Sequence, residues 1–344
     1  MKKLLNTLYV TTQGAWLARE RETVLVRIEQ ETRLRLPIHT LGAIVCFGQV
    51  SASAPLMGLC AERGVSLAFL TEHGRFLARV LGSTSGNVLL RREQYRRADD
   101  PQACGKIVAV QVAAKLANSR GVLQRALRDR PDSNGNQVLQ ETVTHLASLL
   151  RSVRGRGDST DSIRGTEGAG ARAYFGVFDR LITHDDNCFR FNGRNRRPPA
   201  DPVNALLSFI YTLLCHDYTA ALECVGLVPA VGFLHRDRPG RPGLALDLME
   251  ELRAPLADRL VLSLINRRQL NGRGFTTQES GAVGMDDDTR KTVLVAYQER
   301  KREKLRHPFL NEELEIGLIP HLQAQLFARF LRGDLDAYPA FIWR

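Results

Sequence analysis

The sequence predicts an α+β chain in two parts, a smaller β-rich domain followed by a larger helical one. Up to about residue 82, short runs of β-branched and aromatic residues are separated by turn residues. From about Leu89 the apolar residues recur at helical spacing instead. No helix–strand alternation runs through the first half, which excludes a doubly wound nucleotide-binding domain. The division is placed at 1–88 and 89–344.

In chain order, the expected strands are Leu8–Thr11, Thr23–Ile28, Ala43–Phe47, Val65–Leu70 and Phe76–Val80. The last two flank Glu72-His73-Gly74-Arg75, a hairpin signal. One amphipathic helix, about Ala54–Arg63, interrupts them. Residues 101–129 form a long helix opened by Pro101 and closed before Pro131, and 136–153 form another. Five glycines lie between Gly155 and Gly170, the last part of which runs into a helix near Glu167. Asp201-Pro202 is a cap followed by proline at the first helical position, opening an apolar helix to about Ala221. Residues 271–288 read as a mobile polar loop, and the final helices as roughly 289–305 and 311–332.

Composition narrows the partners. The net charge of +11 and a pI near 9.7 favour an anionic partner, nucleic acid before membrane surface. Only seven of the 48 basic residues are Lys. Arginine suits bidentate phosphate contacts, although GC-rich coding produces the same bias. Six scattered cysteines without a C-x-x-C pair suggest neither a zinc cluster nor a disulfide framework, and fit a reduced, cytoplasmic setting. Polar Asn6, Thr7 and Thr11–Gln13 break the N-terminal apolar run, so no targeting segment is expected. The mainly apolar stretch Val203–Cys215 is too short to span a bilayer and reads as a core helix, with no membrane partner.

Chemistry concentrates between Gly226 and Asp258. His235 lies in a loop rich in Gly, Pro and Arg, and a dozen residues later Asp247 and Glu250 stand at i and i+3 on one helix face. Two carboxylates and an imidazole make a partial site for a divalent metal. Upstream, Glu167 lies among Gly168, Ala169, Gly170 and Ala171, where another helix or a phosphate backbone can approach closely, with Arg164 and Arg172 on either side. Singly, these acids read as solvated or capping residues, and Asp247 and Glu250 would suit a helix N-terminal dipole. The basic run Arg190–Arg197, containing Arg194, Arg196 and Arg197, is the first choice for DNA backbone contact. Arg300 and Lys301 share their helix with Glu299 and Glu303, so a solvated face competes with DNA contact there.

Taken in this order, Arg164–Phe175, Gly232–His235 and Leu246–Glu250 resemble the motifs of the CRISPR-associated adaptation integrase family, Cas1. Asn192–Pro199, Asp201–Tyr211 and Tyr297–Lys301 are similar to further stretches of that family, and the resemblance covers nearly the whole chain, looking closest to members that accompany type I-C systems.

The resemblance implies an N-terminal β-sandwich-like domain that forms the homodimer and an all-α C-terminal catalytic domain. It implies metal ligands at Glu167, His235 and Glu250, holding Mg²⁺ or Mn²⁺, with Asp247 as a further catalytic acid that either joins them or orients His235. Position 250 is Glu where Asp is also common. The implied activity is DNA cleavage, on double-stranded or branched DNA, and insertion of short invader duplexes into a CRISPR array by 3′-hydroxyl transesterification. The implied partner is the small protein Cas2, in a heterohexamer. The residues alone leave room for a repair nuclease with the same chemistry, a small-phosphoester metallohydrolase, or a DNA-binding scaffold without catalysis.

Overall fold

The structure is a computed structural model that describes the chain apart from residues 1–5, 30, 73–75, 81, 83–87, 132–135, 155–158, 196–197 and 344. It divides into two units, Met1–Gly86 and Asn87–Arg344.

In the first unit, the short β-forming runs build two four-stranded sheets. β3 (Thr23–Ile28) pairs antiparallel with β2 (Trp16–Glu20) and β4 (Glu31–Pro37), and β6 (Ser51–Ala52) joins β2 in parallel. In the second sheet, β1 (Asn6–Val10), β5 (Leu41–Phe47) and β7 (Ser66–Leu70) run parallel, and β8 (Phe76–Val80) pairs antiparallel with β7. The expected hairpin is therefore present, with the tip at 73–75 outside the described residues. Between β6 and β7 runs α1 (Ala54–Arg63), capped by Ser53 and stopped at Gly64 with φ of +66°. Leu17, Val24, Ile44, Leu56, Leu59 and Leu67 fill one core beneath both sheets and this helix. β2 and β4 escape the sequence reading because charge dilutes them. β4 carries Glu31, Arg33 and Arg35 and is mostly exposed, as suits an edge strand defended by charge.

The second unit is mostly helical. α2 (Val88–Asp99) leads into α3 (Pro101–Asp129), whose Asp100 cap accepts from Gln102 N at 2.9 Å. α4 (Asn136–Arg154), α5 (Thr160–Gly176) and α7 (Gly243–Leu252) all pack on α3. Gly170 permits the closest approach: a Cβ there would sit 2.2 Å from Leu116 Cδ2. α6 (Pro202–Cys224) is capped by Asp201, which accepts from Asn204 N at 2.8 Å. This helix has 23 residues, so length alone does not exclude a membrane span as the shorter apolar stretch suggested; 61% of its most apolar window is buried inside the protein.

The unit is not all-α. Residues 271–288 form a short ribbon, β9 (Phe275–Thr277) with β10 (Val283–Met285), because Val283 and Met285 are buried and Val283 N donates to Pro199 O. After α8 (Arg259–Asn266) and α9 (Asp287–Arg302), a second ribbon pairs β11 (Lys304–Arg306) with β12 (Glu313–Glu315). That pairing delays the last helix, α10, to Ile319–Arg332.

A π turn, Arg253–Asp258, joins α7 to α8. Pro255 has no N–H to continue the helical ladder to Glu251 O, and the Asn118 side chain donates to that carbonyl instead, at 2.7 Å. The Glu251 carboxylate beside it is fully buried and accepts from Tyr338 OH, Gln323 Nε2 and Phe341 N at 2.6, 2.7 and 2.8 Å. It therefore fastens the C-terminal segment over α7 and α3. Burial pushes its pKa from 4.5 up to about 7, and the three hydrogen bonds only partly oppose that rise. Because the folded value lies above the unfolded one, the folded state gains protons, and stability falls as pH rises from about 4.5 to about 7. A rise of that size is worth roughly 3 kcal/mol. Glu251→Gln keeps an acceptor for Gln323 and Phe341 and a donor for Tyr338, so thermal unfolding of this variant should lose that part of the pH dependence. A profile parallel to the parent's would contradict the assignment.

Candidate active site

The loop before α7 is shaped by a single carboxylate. Asp247, fully buried, accepts from Phe233 N at 2.6 Å, Leu234 N at 3.0 Å and His235 N at 2.9 Å. Its Oδ1 also lies 2.6 Å from His235 Nδ1. On the neutral ring, Nδ1–H donates to this carboxylate, which leaves the Nε2 lone pair open to a ligand. The loop's carbonyls face the other way: Arg164 on α5 donates from Nε to Leu234 O at 2.8 Å and from a terminal nitrogen to Phe233 O at 3.3 Å. Close backbone contact explains two glycines here. A Cβ on Gly232 would lie 2.7 Å from the Gly243 carbonyl carbon and 2.9 Å from His235 O.

The remaining acids meet across three helices. Glu167 projects from α5 and Glu250 from α7, and the Lys115 ammonium from α3 pairs with both, 2.9 Å from Glu250 Oε2. Arg253 pairs with the other oxygen of Glu250 and stacks over Tyr211, 4.3 Å from the ring centre. Tyr211 donates to Asp258 in turn. Burial alone would raise the Glu250 pKa, but Arg253, Lys115 and His235 outweigh it and hold the carboxyl down at about 2. It is an anion at any working pH.

Among the described residues, no three His, Cys, Asp or Glu side chains close to within metal-ligating distance. The geometry still fits a cation, because one already stands there: the lysine ammonium lies between the two carboxylates. The His235 ring is held in place by Asp247 on the loop that leads into the Glu250 helix. Two carboxylates and an imidazole form a donor set that admits Mg²⁺ and suits Mn²⁺.

The family model for CRISPR-associated protein Cas1 matches residues 8–299. A CRISPR-associated endonuclease Cas1 of Chlorobaculum tepidum is 54% identical over 346 residues, covering all of both chains. This chain belongs to the Cas1 family of CRISPR-associated endonucleases. The fold agrees: a Cas1 structure from Thermotoga maritima superimposes with a TM-score of 0.80 at 20% identity, covering 96% of this chain and 97% of that one. A chain of a Cas6–reverse transcriptase–Cas1 complex with Cas2 gives 0.83 at 20% identity, covering all of this chain and 36% of that longer one. Its N-terminal sheets and helical remainder are thus the Cas1 fold, and Cas1 endonucleases typically depend on a metal.

Seen as a Cas1 site, the sequence expectations separate. Glu167 and Glu250 are brought together by Lys115, and Asp247 stands behind the His235 imidazole as its positioning partner. Several arginines expected at DNA are turned inward. Arg164 holds the histidine loop. Arg194 donates to Asn204 Oδ1 at 2.7 Å and Ser208 Oγ at 3.0 Å, which ties its loop to α6. Lys301 is committed to Asp217 at 2.9 and 3.0 Å, where Tyr297 OH also donates. Arg300 pairs with Glu303 and lies over Trp343. Arg172 is exposed on α5, and Arg196 and Arg197 lie outside the described residues.

Three contributors went unnoticed in the sequence. Lys115 and Arg253 complete the charge balance of the acids. Arg259 lies over Trp343 beside Arg125 and Arg300, and burial together with those two charges pushes its pKa down to about 10. A signal for Lys115 existed. It is one of seven lysines and sits in the small and apolar run Val112-Ala113-Ala114-Lys115-Leu116, where a charge requires a buried partner.

Proposed function

We propose that Glu167, Glu250 and His235 hold one divalent ion, Mg²⁺ or Mn²⁺, with which this Cas1 endonuclease and integrase acts on DNA phosphodiesters. The observation that carries the reading is the convergence of two carboxylates from α5 and α7 on one cation, beside an imidazole whose free nitrogen is fixed by Asp247. When bound, the ion would neutralise charge on the attacked phosphate and favour the departing oxygen. The chain's own residues do the rest. Asp247 keeps the imidazole proton on Nδ1. Arg253 fixes the orientation of Glu250. Arg164 keeps the histidine loop against the helix that carries Glu167.

The substrate is double-stranded or branched DNA, and the reaction inserts short duplexes into a CRISPR array by attack of their 3′-hydroxyls on repeat phosphodiesters. The net charge of +11 and exposed Arg172 supply phosphate contacts; Arg196 and Arg197 are kept as candidates on sequence alone. The β-rich unit is the homodimer surface, Cas2 completes a heterohexamer, the associated system is of type I-C, and the setting is the cytoplasm. Support for these finer assignments is the family resemblance read from the sequence.

The test is strand transfer of a short duplex into a supercoiled plasmid bearing the repeat, with and without Cas2, in Mg²⁺ or Mn²⁺. His235→Ala should lower transfer and cleavage by roughly a hundredfold or more. DNA affinity should stay within about threefold and fall steeply with salt in both proteins. Full activity of this variant in Mn²⁺ would remove the metal assignment.

A further inference from the structure

The acids of the site come from two helices, yet a third, α3, supplies the charge that joins them. Lys115 reaches Glu167 and Glu250 with one ammonium and is only 12% exposed at its side chain. Among the described residues Glu167 has no other ionic partner, whereas Glu250 also has Arg253. Two carboxylates that share one ammonium, one of them almost fully buried, repel unless a cation lies between them.

We infer that Lys115 is a built-in counter-ion: it holds the metal position between Glu167 and Glu250 until a divalent ion arrives, and is then displaced. It therefore sets how tightly the site binds metal. The inference rests on the metal-site reading above and adds a residue to it.

The two cations of the site differ in the way this role requires. Arg253 is locked, paired to Glu250 and stacked on Tyr211, so it stays when the ion enters. Lysine is a compact charge on a flexible stem with rotatable donors, and can withdraw. It has somewhere to go. A small cavity that Lys115 itself lines is also bordered by Ser119, Tyr174, Tyr211 and Asp258, all bearing oxygen acceptors. Displacement exchanges a single positive charge for a double one between the same two carboxylates, so their two negative charges are half offset by the ammonium and fully offset by the ion.

The experiment measures Mn²⁺ binding by calorimetry and thermal unfolding in chelator and in Mn²⁺, on the full chain. Lys115→Met removes the competitor, so Mn²⁺ should bind roughly tenfold tighter or better. In chelator the variant should unfold at lower temperature than the parent, and Mn²⁺ should raise its midpoint by more than it raises the parent's. Lys115→Arg keeps a charge in place and should bind no tighter than the parent. If Lys115→Met does not fold in chelator, Lys115→Gln is measured in its place, with the same expected gain in affinity. Unchanged or weaker Mn²⁺ binding in the neutral variants, with binding still lost in Glu167→Gln, would overturn the counter-ion role alone. Mn²⁺ binding by the parent that survives Glu167→Gln would overturn the metal site itself.

Discussion

Glu250→Ala should abolish strand transfer and lower the folding stability of this Cas1 chain by about 3–5 kcal/mol at neutral pH. The cost comes mostly from what is left behind. Glu250 is 4% exposed and balances Arg253 on one oxygen and Lys115 on the other. Its removal leaves two largely buried cations short of an anion, and among the described residues Lys115 then retains Glu167 alone. Arg253 keeps its place over Tyr211 and near Asp258, which limits the loss. Glu250→Gln retains the shape but turns an amide nitrogen toward one of the cations, so its stability should fall between the parent and the alanine variant. The pH dependence carries the sign. The folded pKa of Glu250 is about 2 against an ordinary 4.5, so its contribution is complete above 4.5 and disappears as pH drops toward 2. Denaturant unfolding at pH 7 and pH 3 should therefore show the difference between parent and Glu250→Ala shrinking at the lower pH. A difference that is the same at both would mean that Glu250 is not held by these cations.

The parts of this molecule that were legible in the sequence are those written in local chemistry. Capped and proline-opened helices such as α3 and α6 stood out, because Asp100-Pro101 and Asp201-Pro202 announce their starts. Strands containing β-branched residues, such as β3 and β5, stood out for the same kind of reason. β4 did not, since an edge strand protected by Glu31, Arg33 and Arg35 looks like a surface loop until its partner is known. The acids and the histidine were readable as a set through their resemblance to a family, not through their spacing, because Glu167 lies on a different helix from Glu250. The charges that balance them were not readable, since pairing between α3, α5 and α7 is a property of packing. The arginines show the limit most clearly. Arg164, Arg194 and Lys301 look like phosphate ligands by composition, yet each is used inside the protein, on Leu234, Asn204 and Asp217. An arginine donates equally well to a carbonyl, a carboxylate or a phosphate, so only its surroundings reveal which it serves.

Asp247→Ala should be as damaging to activity as loss of a ligand, but by a different route. The carboxylate gathers three consecutive backbone N–H groups and the His235 ring. Phe233 and Leu234 are buried, so their amides would be left without partners, at about 1–3 kcal/mol each. The imidazole would lose the acceptor that fixes its proton on Nδ1 and the orientation of its ring. Asp247→Asn has one acceptor oxygen to share and an amide nitrogen facing donors, so it should relieve only part of the strain. Amide hydrogen exchange separates this positioning role from direct metal ligation. If Asp247 acts through the loop, exchange at residues 233–235 should accelerate strongly in Asp247→Ala, moderately in Asp247→Asn, and not at all in His235→Ala, whose backbone N–H still reaches the carboxylate. If Asp247 is instead a ligand, Asp247→Asn should lose Mn²⁺ affinity while those amides remain as protected as in the parent, because an ion is gone and the loop is not.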